Sequence, residues 1–125
     1  MMDVKKRNLI LLILRRGTYK WGPKGEALRA SKVGRNQYRC ALCGPSKVYR
    51  NKEKQQDHII PVQRVDGIYD GLEEVADRMF APKEGWQTLC LPHHKEKSAR
   101  ENTLRAEARK AMKLAAKSKA SRKRK

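Results

Sequence analysis

The chain has 125 residues, with 31 Lys+Arg against 13 Asp+Glu, a formal net charge of +18 and 38% apolar residues. That apolar share lies below the usual ~45–50%, so the chain supports one modest core and excludes a multidomain enzyme, a membrane channel or a large cofactor-binding fold. The charge is divided unevenly: residues 1–36 carry ten basic and two acidic residues (+8), residues 37–94 eight of each, and residues 95–125 thirteen and three (+10). All three Cys and all three His fall in the neutral centre.

Residues 9–14 form an apolar run between Lys5-Lys6-Arg7 and Arg15-Arg16. It is too short for a membrane span, which needs about 20 apolar residues, and it lacks a cleavage site, so it predicts a short amphipathic helix or strand. An odd number of cysteines precludes a complete disulfide framework. Their spacing favours metal binding in a reducing compartment, and we expect a cytoplasmic protein with no membrane partner.

Residues 23–32 read as a short helix, with Pro in the first turn and Gly34 as the stop. Residues 37–39 are an extended approach to a knuckle, Cys40-Ala41-Leu42-Cys43-Gly44. Residues 46–56 are polar, a loop with some strand character, and His58-Ile59-Ile60-Pro61-Val62 is an apolar extended segment at a sheet edge. Asp70, followed three residues later by Glu73, resembles a capping box opening a helix with Leu72, Val75 and Met79 on one face. Residues 85–89 are a turn carrying Trp86. A further helix starts near Pro92 and runs to about residue 115, and the basic tail beyond is expected to be disordered.

Cys40-x-x-Cys43 and Cys90-x-x-His93 are two ligand pairs whose thiolates and imidazole suit a tetrahedral structural zinc, a staple that so small a core needs. His94 is adjacent to His93, and neighbouring helical side chains diverge by about 100°, so both cannot serve one ion. Cys90 and His94 are also i, i+4 neighbours, which leaves the exchanged assignment open on spacing alone. Asp57-His58 pairs a carboxylate with an imidazole, one able to hold a divalent ion and the other to act as a base if a turn brings both to one site.

Cys40-Ala-Leu-Cys43, Asp57-His58-Ile59-Ile60-Pro61, Gln87-Thr-Leu-Cys90 and Cys90-Leu-Pro-His93-His94-Lys95-Glu-Lys97 together resemble the HNH endonuclease family over residues 37–101. The stretch from Trp21-Gly-Pro-Lys-Gly-Glu26 to Tyr38-Arg-Cys40 looks like the lead-in of its small phage-type members. The resemblance implies a small α+β fold: a zinc-stapled ββα-metal core at 37–101, an N-terminal helical lead-in at 1–36, and a basic helical extension with a tail at 102–125. It implies structural Zn²⁺ on Cys40, Cys43, Cys90 and His93, and a catalytic divalent ion (Mg²⁺, Mn²⁺, Ni²⁺ or Co²⁺) on Asp57 and His94. His58 would be the general base and Lys97 a phosphate contact. The expected activity is hydrolysis of DNA phosphodiester bonds, with phage packaging or replication proteins as further partners and the host cytoplasm as the setting. The alternative is a non-catalytic, zinc-stapled nucleic-acid-binding protein. One departure stands out. The family's central Asn falls at Gly85 here, so positioning of the base passes to Gln87, Glu84 or backbone groups.

The basic flanks supply the sequence-indifferent part of DNA binding. The expected contacts are Arg100, Arg105, Arg109, Lys110 and Lys113 on the extension and Lys5, Lys6, Arg7, Arg15 and Arg16 at the start. Trp21 and Tyr38 are aromatic candidates for base stacking or for packing on the zinc unit.

Overall fold

The computed structural model describes residues 2–123 as a small α+β protein with helices and two small antiparallel hairpins. The apolar run at 9–14 lies within a longer helix, α1 (Val4–Arg16), whose N-terminus is capped by the Asp3 carboxylate accepting from the Lys5 amide. Arg15 and Arg16 complement the dipole of its last turn. Leu11 and Leu14 pack on a buried cluster of Val62, Val75 and Met79, while Leu9, Leu12 and Ile13 face solvent.

After a 3₁₀ turn, Gly17–Lys20, comes α2 (Gly22–Ser31), the helix expected at 23–32. Strands β1 (Lys32–Gly34) and β2 (Gln37–Tyr38) form the first hairpin, and Tyr38 bridges to Tyr49 through paired backbone hydrogen bonds of 2.7 and 2.8 Å. Trp21 is used for packing: its indole N–H donates to the Ala81 carbonyl at 2.6 Å and its ring meets Phe80 edge-on.

The second hairpin pairs β3 (Lys54–His58) with β4 (Trp86–Cys90) in the register Lys54↔Cys90, Asp57↔Gln87 and His58↔Trp86. Here the expectation of an extended 58–62 is corrected. The strand is the polar segment before it, and residues 86–90 are a strand rather than a turn. Regular pairing stops at His58, with the Ile59 amide still reaching the Gly85 carbonyl at 2.9 Å, and Pro61 has no N–H with which to extend a ladder. The polar β3 is tolerated because β4 supplies the burial through Trp86, Thr88, Leu89 and Cys90, and because its side chains are bonded, Gln56 Oε1 accepting from Thr88 Oγ1 at 2.6 Å.

Between these strands lies α3 (Leu72–Met79), which buries Val75 and Met79 as its spacing predicts. Its N-cap is Gly71 at φ 117°, with no side-chain cap. Asp70 is drawn instead into a two-pronged pair with Arg78, at 2.7 and 2.8 Å, while Arg78 Nε donates to the Val62 carbonyl. A charge-assisted fork outcompetes a single cap bond. The Arg78 hydrogen bonds hold the Asp70 carboxyl below its ordinary value despite some opposing burial. Stabilisation from a depressed carboxyl is complete above the unfolded value of about 3.9 and is lost as pH falls through the folded one. The stability gap between wild type and Asp70→Asn in urea titrations is therefore expected to shrink from pH 6 to pH 2. A gap that widens on acidification would contradict the pairing.

Helix α4 (Leu91–Lys123) follows β4 directly and crosses the 101/102 boundary unbroken, about 50 Å long at 1.5 Å per residue. It continues past residue 115 because 105–123 contains no Gly or Pro and is rich in Ala, Lys and Arg. Every residue from Arg109 to Arg122 is exposed. The last two residues of the expected tail, Arg124 and Lys125, lie outside the described residues. No helix among the described residues is long and apolar enough to cross a membrane.

Candidate metal centre and catalytic cleft

The knuckle at 40–43, the end of β4 and the first turn of α4 bring Cys40, Cys43, Cys90 and His93 together, with ligand atoms all within 4.8 Å of one another. His93 Nδ1 lies 3.5, 3.3 and 3.1 Å from the sulfurs of Cys40, Cys43 and Cys90, and Cys43 and Cys90 sulfurs are 3.6 Å apart. A tetrahedral zinc with bonds of about 2.0–2.3 Å has ligand-to-ligand edges of about 3.5–3.8 Å, close to these separations. None of the cysteines is in a disulfide. Three thiols and an imidazole in this arrangement fit a metal ion such as zinc. The centre is built on the interior, since Cys40, Leu89 and Cys90 form one buried cluster against which Cys43 and Tyr49 pack.

The surroundings favour the thiolate at Cys40 and oppose it at Cys43, where the Tyr49 hydroxyl is outweighed by burial and the neighbouring thiols of Cys90 and Cys40. Burial raises the Cys40 thiol, but the amides of Cys90 and Leu42, with His93 and Cys43, outweigh it and bring it down to about 6. Tyr49 Oη sits 3.0 Å from Cys43 Sγ as a further hydrogen-bond partner. The exchanged assignment of the two histidines is thereby decided: His93 faces the cysteines, and His94 turns to β3.

There His94 Nε2 lies 3.7 Å from Asp57 Oδ1. The other Asp57 oxygen is 3.0 Å from Lys97 Nζ and accepts from Gln87 Nε2 at 3.2 Å. Lys97 also donates to the His58 carbonyl at 3.0 Å and to Glu101 at 2.9 Å. His94, Lys97 and Glu101 are i, i+3 and i+7 on α4, one face of the helix turned to the strand.

His58 is held from two sides. Its ring lies tilted on Trp86, centroids 3.9 Å apart, and its Nε2 is 2.8 Å from the Met79 carbonyl. A carbonyl only accepts, so Nε2 carries the proton of the neutral imidazole and Nδ1 keeps the lone pair. Burial pushes the imidazole below its ordinary value, against the Met79 carbonyl and Asp57 and in concert with Lys24 and Arg15.

The backbone carbonyl of Met79 thus fixes the orientation of the His58 ring. Gly85 is compelled by space: a Cβ there would lie 2.8 Å from the Ala81 Cβ. Gly85 also gives its carbonyl to the Ile59 amide at 2.9 Å, which joins the chain just after His58 to the chain just before Trp86.

Asp57, His58, His94, Lys97 and Glu101 line an open cleft of about 400 Å³ that also includes Arg15, Lys24 and Arg105. Four cationic side chains, Arg15, Lys24, Lys97 and Arg105, face two carboxylates, Asp57 and Glu101. Of the other expected contacts, Arg100, Lys110 and Lys113 are exposed on α4, as are Lys5, Lys6 and Arg16 on α1, none of them lining the cleft. Lys24, Glu101 and the Met79 carbonyl were not foreseen. Glu101 was readable as an i, i+4 partner of Lys97, whereas nothing local marks a distant backbone carbonyl. No family model, no curated protein and no solved structure matches this chain.

Proposed function

We propose that this chain is a metal-dependent DNA endonuclease of the HNH type, hydrolysing phosphodiester bonds with His58 as general base. The observation that carries this reading is the convergence of Asp57, His58, His94 and Lys97 on one cationic cleft beside the Cys/His centre. The chain order, paired strands followed by a helix that bears both a zinc ligand and a cleft histidine, is the order that a ββα-metal core requires.

Asp57 Oδ1 and His94 Nε2, 3.7 Å apart, stand just outside the separation of about 3.0–3.6 Å that two ligand atoms about 2.1 Å from one centre span at angles of about 90–120°, so a small side-chain rotation brings both onto a divalent ion. When bound there, Mg²⁺, Mn²⁺, Ni²⁺ or Co²⁺ supplies charge neutralisation at the scissile phosphate. The side chains do the rest. His58, neutral and with its lone pair on Nδ1, takes the proton of the attacking water. Lys97 and Arg105 attract and orient the phosphodiester, with Arg15 and Lys24 adding to the positive field.

A non-catalytic nucleic-acid-binding module draws support from one observation, the Lys97–Asp57 pair at 3.0 Å, which neutralises the carboxylate without any ion. A metal series on supercoiled plasmid separates the two. Zinc-loaded protein is expected to convert it to nicked circle with Mg²⁺, Mn²⁺ or Ni²⁺, and EDTA to abolish conversion. Binding without nicking under every ion would leave only the module.

A further inference from the structure

A second pocket, of about 240 Å³, lies where α1, the loop following β3, α3 and α4 meet. Arg7, Arg64, Arg78, Arg105 and Arg109 all line it, with Gln63 and Tyr69, and no carboxylate does so among the described residues. Two of the five are already neutralised, Arg78 by Asp70 and Arg64 by Asp66. Arg7, Arg105 and Arg109 enter no ion pair among the described residues.

Two of these guanidinium groups, those of Arg7 and Arg105, are held by neighbouring groups. The Arg7 guanidinium carbon lies over the Tyr69 ring, 3.9 Å from its centroid. Arg105 donates to the Gln63 carbonyl at 2.8 Å and to Asn102 at 3.2 Å. The Nε of Arg7 and that of Arg105 are both buried without a hydrogen-bond partner. A buried N–H left unpaired is costly, more so on a charged group, and three uncompensated cations at one pocket repel each other besides. An oxyanion relieves both costs, and the planar fork of arginine matches phosphate.

We propose that this pocket binds an internal backbone phosphate of the nucleic-acid strand engaged in the cleft, a second phosphate site distinct from Asp57, His58 and His94. The choice of a phosphodiester over a free anion rests on the nucleic-acid reading above. Gln63 and Arg105 line both the pocket and the cleft, so one strand presents one phosphate to each. The two basic flanks, far apart in sequence, meet here: α1 brings Arg7, and α4 brings Arg105 and Arg109.

The direct test uses wild-type protein and inorganic phosphate at constant ionic strength, following the arginine Nε–H signals of Arg7 and Arg105 by NMR. Saturable shifts are expected, absent with chloride and lost in Arg109→Gln. Linear shifts identical in both proteins would overturn the site. In fluorescence anisotropy with a short duplex, the pair Arg7→Gln/Arg109→Gln is expected to weaken binding about tenfold or more and to flatten its log–log salt dependence by about two units. The charge-matched pair Lys117→Gln/Lys119→Gln, on the exposed end of α4, is expected to weaken it by less than about threefold. Equal losses would reduce the pocket to part of a diffuse field. Duplexes with and without a 5′-phosphate should bind alike, and a strong preference for the phosphorylated end would refute the internal phosphodiester. None of these readouts requires catalysis. A wild-type protein that passes them and never nicks retains the phosphate site and loses the enzymatic assignment.

Discussion

Cys90→Ser is expected to lose most of the bound zinc and, with it, the cooperative fold of the central unit. Cys90 is 2% exposed, its sulfur lies 3.6 Å from Cys43 Sγ and 3.1 Å from His93 Nδ1, and it ends the strand that pairs with β3. Structural zinc contributes on the order of 10–16 kcal/mol to small domains, more than a core of this size has in reserve. Only a handful of residues are fully buried beside it, Met79 and Leu89 chief among them. Elemental analysis should give about one zinc per wild-type chain and well under half in the variant, consistent with a four-ligand site. Circular dichroism should show a broad, low-temperature melt in place of a cooperative one. A metal-free Cys90→Ser that melts like wild type would remove zinc from any structural role.

Removing the proposed base, His58, has the second large expected effect. His58→Ala should lower the nicking rate by about 10²–10⁴-fold, the usual contribution of a positioned general base. Duplex affinity should change little, because the imidazole is neutral and half-buried. Alanine also strips the Met79 carbonyl of its partner and exposes the face of Trp86. His58→Gln guards against reading lost stability as lost chemistry: its amide can still donate to that carbonyl but has no basic nitrogen. Both variants should retain zinc and bind duplex while failing to nick. A glutamine variant above about a tenth of the wild-type rate would shift the base to another group, since that exceeds what a lost base allows.

The Cys/His centre was legible because it is local arithmetic. Two x-x spacings place four ligands, and the 100° step between His93 and His94 forces them onto different tasks. The helices at 22–31 and 72–79 were legible for similar reasons, a proline start and an apolar face. What escaped depended on partners remote in sequence. Asp70 looks like a cap until Arg78 claims it. The 54–58 segment looks like a loop because its apolar support comes from β4. Gly85 looks like a defect in a motif, until the Ala81 methyl group is seen where its side chain would go. The arginine pocket draws on α1, a loop, α3 and α4 together, and no window of sequence contains it.

The Ala81 carbonyl accepts from both tryptophans of the chain, Trp21 at 2.6 Å and Trp86 at 2.9 Å. It lies two residues from the carbonyl that holds His58. The intrinsic fluorescence of the protein therefore originates at the joint that holds His58. Any ligand, ion or substitution that shifts this turn will register in tryptophan emission, which gives the site an optical signal without an added label.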